Sequence, residues 1–144
     1  MLARIFAEHV IEHVDFQTDV PAILRDWARV LKPGGVARVV VPDLPRFMQA
    51  YLSEDAEQWQ ALGWNPTDLP SDIFTPMHIV NHAFHQGGEH LFGYDFDTLR
   101  WAFERAGFSR VYRGEFGRSV DQALAIDRPE HASYSLYVDA VKAE

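Results

Sequence analysis

RVLKPGGVARVVVPD, Arg29 to Asp43, is the stretch on which the fold turns. It reads as the end of a helix, a Pro33-Gly34-Gly35 break, and a strand from Val36 to Val41 closed by Pro42-Asp43. Proline cannot continue a helix, and glycine tolerates the left-handed conformation that commonly ends one. The valine-rich run lacks a polar–apolar alternation, the pattern of a strand covered on both faces.

Upstream, Thr18 or Asp19 offers a helix cap and Pro21 suits a first turn. Val20, Ile23, Leu24, Trp27 and Leu31 then recur at helical spacing and form one apolar stripe. Before that helix lies a short apolar segment, Leu2 to Ala7, bounded by Glu8-His9 and read as a strand. Strand, helix and strand in succession make a βαβ unit, with parallel strands and a right-handed crossover.

Downstream the pattern changes. Residues 44–90 mix short helical pieces (Pro45 to Leu52, Ala56 to Leu62, and Thr75 to His85) with a proline-rich loop from Asn65 to Pro76. This is read as a helical and loop insertion, or lid. Asp95 or Asp97 caps a helix running to Arg105, with Phe96, Leu99, Trp101 and Phe103 near its apolar side. Trp27, Trp101 and Phe103 are expected in the core. Gly107 ends the helix. Arg110 to Phe116 reads as a third strand, and Ser133 to Val141 as a fourth in which Leu136, Val138 and Ala140 alternate with polar partners. The whole chain, 1–144, is read as a single α/β domain.

Composition narrows the function. The chain carries 21 acidic and 13 basic side chains, a net charge of −8, and no Lys/Arg run. A nucleic-acid backbone is therefore not the expected partner. There is no cysteine, which excludes a disulfide framework and thiolate chemistry and is compatible with the cytoplasm. No apolar run is long enough to span a bilayer.

Four segments resemble one family in order and spacing: HVIEHV, RVLKPGG with VVVPD, the long stretch EHLFGYDFDTLRWAFERAGFSRVYRGEFGRS, and SLYVDAVK. Together they look like the C-terminal half of a class I S-adenosylmethionine-dependent methyltransferase of the "type 11" group, particularly a bacterial branch. The resemblance implies a Rossmann-like sheet of order 3-2-1-4-5-7-6 with strand 7 antiparallel, of which 4-5-7-6 is represented here. The family's glycine-rich loop after its first strand has no counterpart: Gly34-Gly35 and Gly87-Gly88 stand in other contexts. An unpaired edge on the first strand is then expected, open to a homodimer through Leu2 to Ala7 or to a missing upstream segment.

The resemblance also places the site. It puts Ala7, Glu8 and His9 beside S-adenosylmethionine, Glu12 and His13 at the catalytic position, and Asp43, Arg46 and His90 near a small-molecule or glycan acceptor. The residues themselves leave other readings open. His9, Glu12 and His13 have the HxxEH spacing of inverted zinc peptidases, but those need the motif inside a long helix. A local role, in which Glu12 and His13 order the loop, competes with catalysis. MHIVNHAFHQGGEH (Met77 to His90) adds a second histidine group, so His9, His13, His78 and His82 form an alternative metal set. Asp43, on its own residues, reads first as the cap of the following helix, Leu44 to Leu52. Three functions follow as expectations: a methyltransferase or part of one, a methyltransferase-like module acting by association, and a histidine-based metal-binding domain.

Overall fold

A computed structural model describes all residues, 1–144. Strand β1 (Leu2–Glu8) leads through a single 3-10 turn (Ile11–His13) to helix α1 (Asp19–Val30) and strand β2 (Leu31–Pro42). Helices α2 (Leu44–Ser53), α3 (Ala56–Ala61) and α4 (Pro76–His85) make up the insertion. Helix α5 (Phe96–Arg105), strand β3 (Phe108–Arg113) and strand β4 (Ser135–Lys142) complete the chain. No helix is long and apolar enough to cross a membrane.

The four strands form one sheet of order β1-β2-β4-β3. β1 and β2 are parallel, and β4 is antiparallel to both of its neighbours. This is the expected 4-5-7-6 arrangement, and the outer edge of β1 has no strand beside it. The carboxyl ends of β1 and β2 therefore point the same way, and ligands of open α/β sheets bind outside such ends.

One sheet face presents Ala37, Val39 and Val41 of β2 against Leu136, Val138 and Ala140 of β4. Val20 and Leu24 of α1 and Leu99 and Phe103 of α5 bury against it. Burying such side chains stabilises by roughly 1.5–3 kcal/mol each. The opposite face was expected to be polar along β4. Instead Tyr137, Asp139 and Val141 are buried too, under the long β3–β4 connection that brings Leu124 onto Val36.

That second face holds an unforeseen ion cluster. Arg38 lies directly across the ladder from Asp139 and is fully buried. Its Nε and Nη2 donate to the two Asp127 oxygens at 2.8 and 2.7 Å, and Nη1 donates to Asp139 Oδ1 at 3.0 Å. Nη2 also reaches the Glu115 carbonyl at 2.8 Å. Gly114 makes room for it, since a Cβ there would sit 3.0 Å from Arg38 Nη1. β3 accordingly stops at Arg113 rather than at Phe116.

Other boundaries and packing also differ from the sequence reading. α1 ends at Val30, before the Pro-Gly-Gly segment, because fully buried Leu31 already extends into the sheet. Thr18 holds the cap position but its side chain makes no cap bond. The turn before α1 is ordered by Asp15, whose Oδ1 accepts from the backbone N–H of Gln17 and Thr18. Trp101, expected in the core, is 53% exposed and carries Arg105 over its ring. The insertion has its own core of Leu44, Phe47, Ala50, Trp59, Leu62 and Ile79, and sits over the carboxyl end of β2.

Candidate functional site

The site begins where β1 stops. The His9 backbone N–H donates to Val40 at 2.8 Å, and His9 then turns the chain with a φ of 55°. A non-glycine residue in that conformation costs about 1–2 kcal/mol, so the turn is held by its surroundings. It throws Ile11 and Glu12 inward; both are fully buried. The EHVIEH stretch is thus a strand end and one 3-10 turn. The long helix that a zinc peptidase needs for HxxEH is not formed.

His9 and His13 face different neighbours. His9 Nε2 lies 2.9 Å from the Ser135 hydroxyl at the start of β4. Its Nδ1 lies 3.2 Å from Glu12 Oε2, but off hydrogen-bonding alignment, so neither Glu12 oxygen has a hydrogen-bond partner. The His9 ring packs against His131 at 4.1 Å between centroids. His13 turns the other way. Its Nδ1 is 2.9 Å from the Glu89 carbonyl, and its ring meets His90 edge-on at 4.7 Å.

His90 is buried, with Nδ1 3.1 Å from the Ala83 carbonyl. Burial pulls its pKa below the usual imidazole value, against the opposing pull of Ala83 and Glu12. The Leu91 backbone N–H donates to the Glu12 carbonyl at 2.8 Å, which fastens the Glu89–Leu91 segment to the Ile11–His13 turn. Glu12, His13 and His90 offer donor atoms that all lie within 4.8 Å of one another.

Glu8 is committed within the chain. It accepts from His131 Nδ1 at 2.8 Å and from the Arg128 backbone N–H at 2.9 Å, which holds the 128–135 segment over the strand end. Asp43 stands at the cap position of α2 without a side-chain cap bond. It is buried; Oδ2 lies 3.4 Å from Arg113 Nη2 and Oδ1 has no partner. Burial raises its pKa, with Arg113 and Arg46 opposing. Arg46 itself donates to the Ser133 carbonyl at 2.7 Å.

A cleft of about 330 Å³ lies between the sheet's carboxyl end and the insertion, with His9, Phe47, Trp64, His82, His90 and Tyr134 in its wall. Of the expected acceptor residues, only His90 lines it. Asp43 and Arg46 line a separate, shallower depression with Asp95 and Arg113. The four histidines of the alternative metal set are not brought together. His78 Nδ1 accepts from the Phe74 backbone N–H, and His82 packs on Trp64. A second cleft of the same volume, between α1 and α5, presents Arg25 and Arg105 but no carboxyl or imidazole group, so acid–base chemistry points to the first.

A protein-family model described as a methyltransferase domain matches residues 4–112, well over half of the chain. The chain belongs to the methyltransferase domain family. No curated protein matches. Among solved structures, a candidate exported protein from Bordetella parapertussis aligns with a TM-score of 0.54 and 18% identity, over 99% of this chain and 39% of its own. A candidate O-methyltransferase from Nostoc punctiforme aligns with a TM-score of 0.51 and 17% identity, over 97% of this chain and 31% of its own. At such identities the likeness is one of fold. This methyltransferase domain spans well under half the length of either protein.

The family's cofactor, S-adenosylmethionine, finds only part of a site here. Gly34-Gly35 lies within the first residues of β2, at the opposite end of the sheet and after helix α1, where no strand precedes it to form a phosphate- or nucleoside-cradling turn. Gly87-Gly88 follows α4 rather than a strand. Residues 1–144 thus hold no glycine turn of the kind that would cradle the cofactor's nucleoside.

Proposed function

We propose that this domain is the acceptor-side half of an S-adenosylmethionine-dependent methyltransferase acting on a hydroxyl of a small molecule or glycan. His9 carries the reading. It stands at the carboxyl end of β1, faces the cleft, and has Nε2 2.9 Å from a hydroxyl, that of Ser135. An acceptor hydroxyl that takes the place of Ser135 at Nε2 loses its proton to that nitrogen as its oxygen becomes nucleophilic. Glu12 Oε2, 3.2 Å from Nδ1, stabilises by its charge the imidazolium that results. S-adenosylmethionine would supply the electrophilic methyl group, and the β1 end at Ala7, Glu8 and His9 would hold its methionine end. Trp64, Tyr134 and Phe47 offer flat apolar walls to the acceptor. His13 serves as a neighbour of His90 rather than as the base.

The test is transfer of a labelled methyl group to a panel of hydroxyl acceptors, with calorimetry using S-adenosylhomocysteine alongside. His9→Ala is expected to lower turnover about 10²–10⁴-fold. Full turnover in that variant would remove His9 from the chemistry.

A second reading, association, is favoured by the free outer edge of β1, where Leu2 is 52% exposed. A second copy pairing there would give a dimer. Light scattering that finds only monomer at high concentration, together with measurable cofactor binding, would exclude it.

A further inference from the structure

We propose that Glu12, His13 and His90 form a binding site for one divalent transition-metal ion, zinc or a close relative. Nothing in this inference depends on methyl transfer. It rests on three observations that converge on one point in space.

The first is proximity. A carboxyl oxygen and two imidazole nitrogens, from segments 77 positions apart (His13 to His90), lie within 4.8 Å of one another. Donors bound at about 2.0–2.1 Å around a tetrahedral ion sit roughly 3.4 Å apart. The gap to be closed is small, and it falls partly to His13, the exposed member of the three.

The second is the orphaned carboxyl group. Glu12 is 1% exposed, and neither of its oxygens has a hydrogen-bond partner. Buried carboxyl oxygens are nearly always partnered, so an exception calls for a ligand or a specific role. His9 Nδ1 comes within 3.2 Å of Oε2 without a hydrogen bond, so both oxygens remain open.

The third is the state of the two rings. His13 Nδ1 faces the Glu89 carbonyl and His90 Nδ1 faces the Ala83 carbonyl. A carbonyl oxygen only accepts, so each Nδ1 must carry the proton and donate. In the neutral ring this leaves Nε2 as a lone pair. Histidine ligands of metals are regularly held this way, by a backbone carbonyl on the ring nitrogen opposite the metal. In both rings Nε2 is then the nitrogen left to an ion.

The donor set chooses the ion. Two imidazoles and one carboxylate suit zinc and the later first-row divalent ions, whereas magnesium and calcium take oxygen donors. Three protein ligands leave a fourth position for water or another ligand. His90 also belongs to the cleft wall, so a bound ion would stand at the edge of the cleft. The fastening of Leu91 to the Glu12 carbonyl fixes the two ligand-bearing segments against each other before any ion arrives.

The test uses the full chain prepared without a histidine tag and dialysed against chelator, then titrated with Co²⁺ and afterwards Zn²⁺. The expected result is about one equivalent of Co²⁺ with visible absorption bands of low coordination number, displaced by Zn²⁺, and a higher thermal midpoint in the loaded protein. Glu12→Gln, His13→Gln and His90→Gln should each weaken binding about tenfold or more. His78→Ala should leave it unchanged. Because His13 is exposed, His13→Gln keeps the fold and stands even if a buried variant does not. Binding that is far below one equivalent, or unchanged in His13→Gln and Glu12→Gln, or lost in His78→Ala, would overturn the site.

Discussion

Two buried charge clusters sit on this sheet, and they are opposites. Around Arg38, the guanidinium nitrogens meet both oxygens of Asp127, an oxygen of Asp139 and a backbone carbonyl. Around Glu12, the carboxyl is equally buried yet neither oxygen is hydrogen-bonded. The first cluster is complete by itself and fastens the β3–β4 connection to the sheet. The second is complete only with something added. A closed polar network holds a fold, whereas an open one at a strand's carboxyl end marks where chemistry or a ligand belongs.

The largest expected effect breaks the closed cluster. Arg38→Ala leaves Asp127 and Asp139 buried without their cation, and should cost about 3–5 kcal/mol in urea unfolding. The open cluster should respond with the opposite sign. In metal-free protein, Glu12→Met removes a buried group that nothing satisfies, and stability should rise by roughly 1–3 kcal/mol. A loss there as large as the Arg38 loss would show that Glu12 is as well partnered as Arg38 and erase the contrast.

A smaller effect calibrates both. Asp95 accepts from the Thr98 backbone N–H at 2.8 Å at the start of α5, an ordinary satisfied cap. Asp95→Ala should cost about 1 kcal/mol. The smallest effect is one of pH. Burial raises the Asp43 pKa, so the folded protein prefers its neutral form, while Arg113 and Arg46 limit the shift. The unfolded chain ionises first, so stability should fall as pH rises from the ordinary 3.8 through the raised value. Asp15 and Asp95, held below the usual carboxylate value by their hydrogen bonds, pull the whole curve the other way. The test is therefore the difference between wild type and Asp43→Asn. Wild type should lose stability relative to the variant as pH rises through this range, and an unchanged or growing difference in favour of wild type would contradict the assignment.

Much of the fold was legible before any coordinates. The stripe Val20, Leu24 and Trp27 announced α1, and Asp95 announced α5. The Val36–Val41 run announced a strand covered on both faces, which pairs parallel with β1 as the βαβ pattern required. Arg38 inside that run was not legible as a buried charge, because its partners lie 89 and 101 residues away, and no local period reports them. Trp101 fell at helical spacing but on the margin of the stripe, where packing against Phe16 leaves it half open.

The site was legible in its parts and not in its grouping. Glu12 and His13 stand out together in the sequence as a catalytic pair, and His90 apart from them as an acceptor residue. His9 and His13 seemed natural partners at four residues' spacing, but the left-handed turn at His9 sends them to different neighbours. His78 and His82 share a helix face and nothing more. The signal for His90 was its place just past two glycines after α4, where the chain folds back on the Ile11–His13 turn.

β4 occupies the interior of the sheet, between β2 and β3, although it is the last of the four strands in the chain. A ribosome making this protein releases the central plank after both planks that flank it. Until then β2 and β3 have nothing to join them, and the nascent domain must wait, half assembled, for its final stretch. Clipping off Ser135–Lys142 would therefore split the sheet down its middle rather than trim an edge.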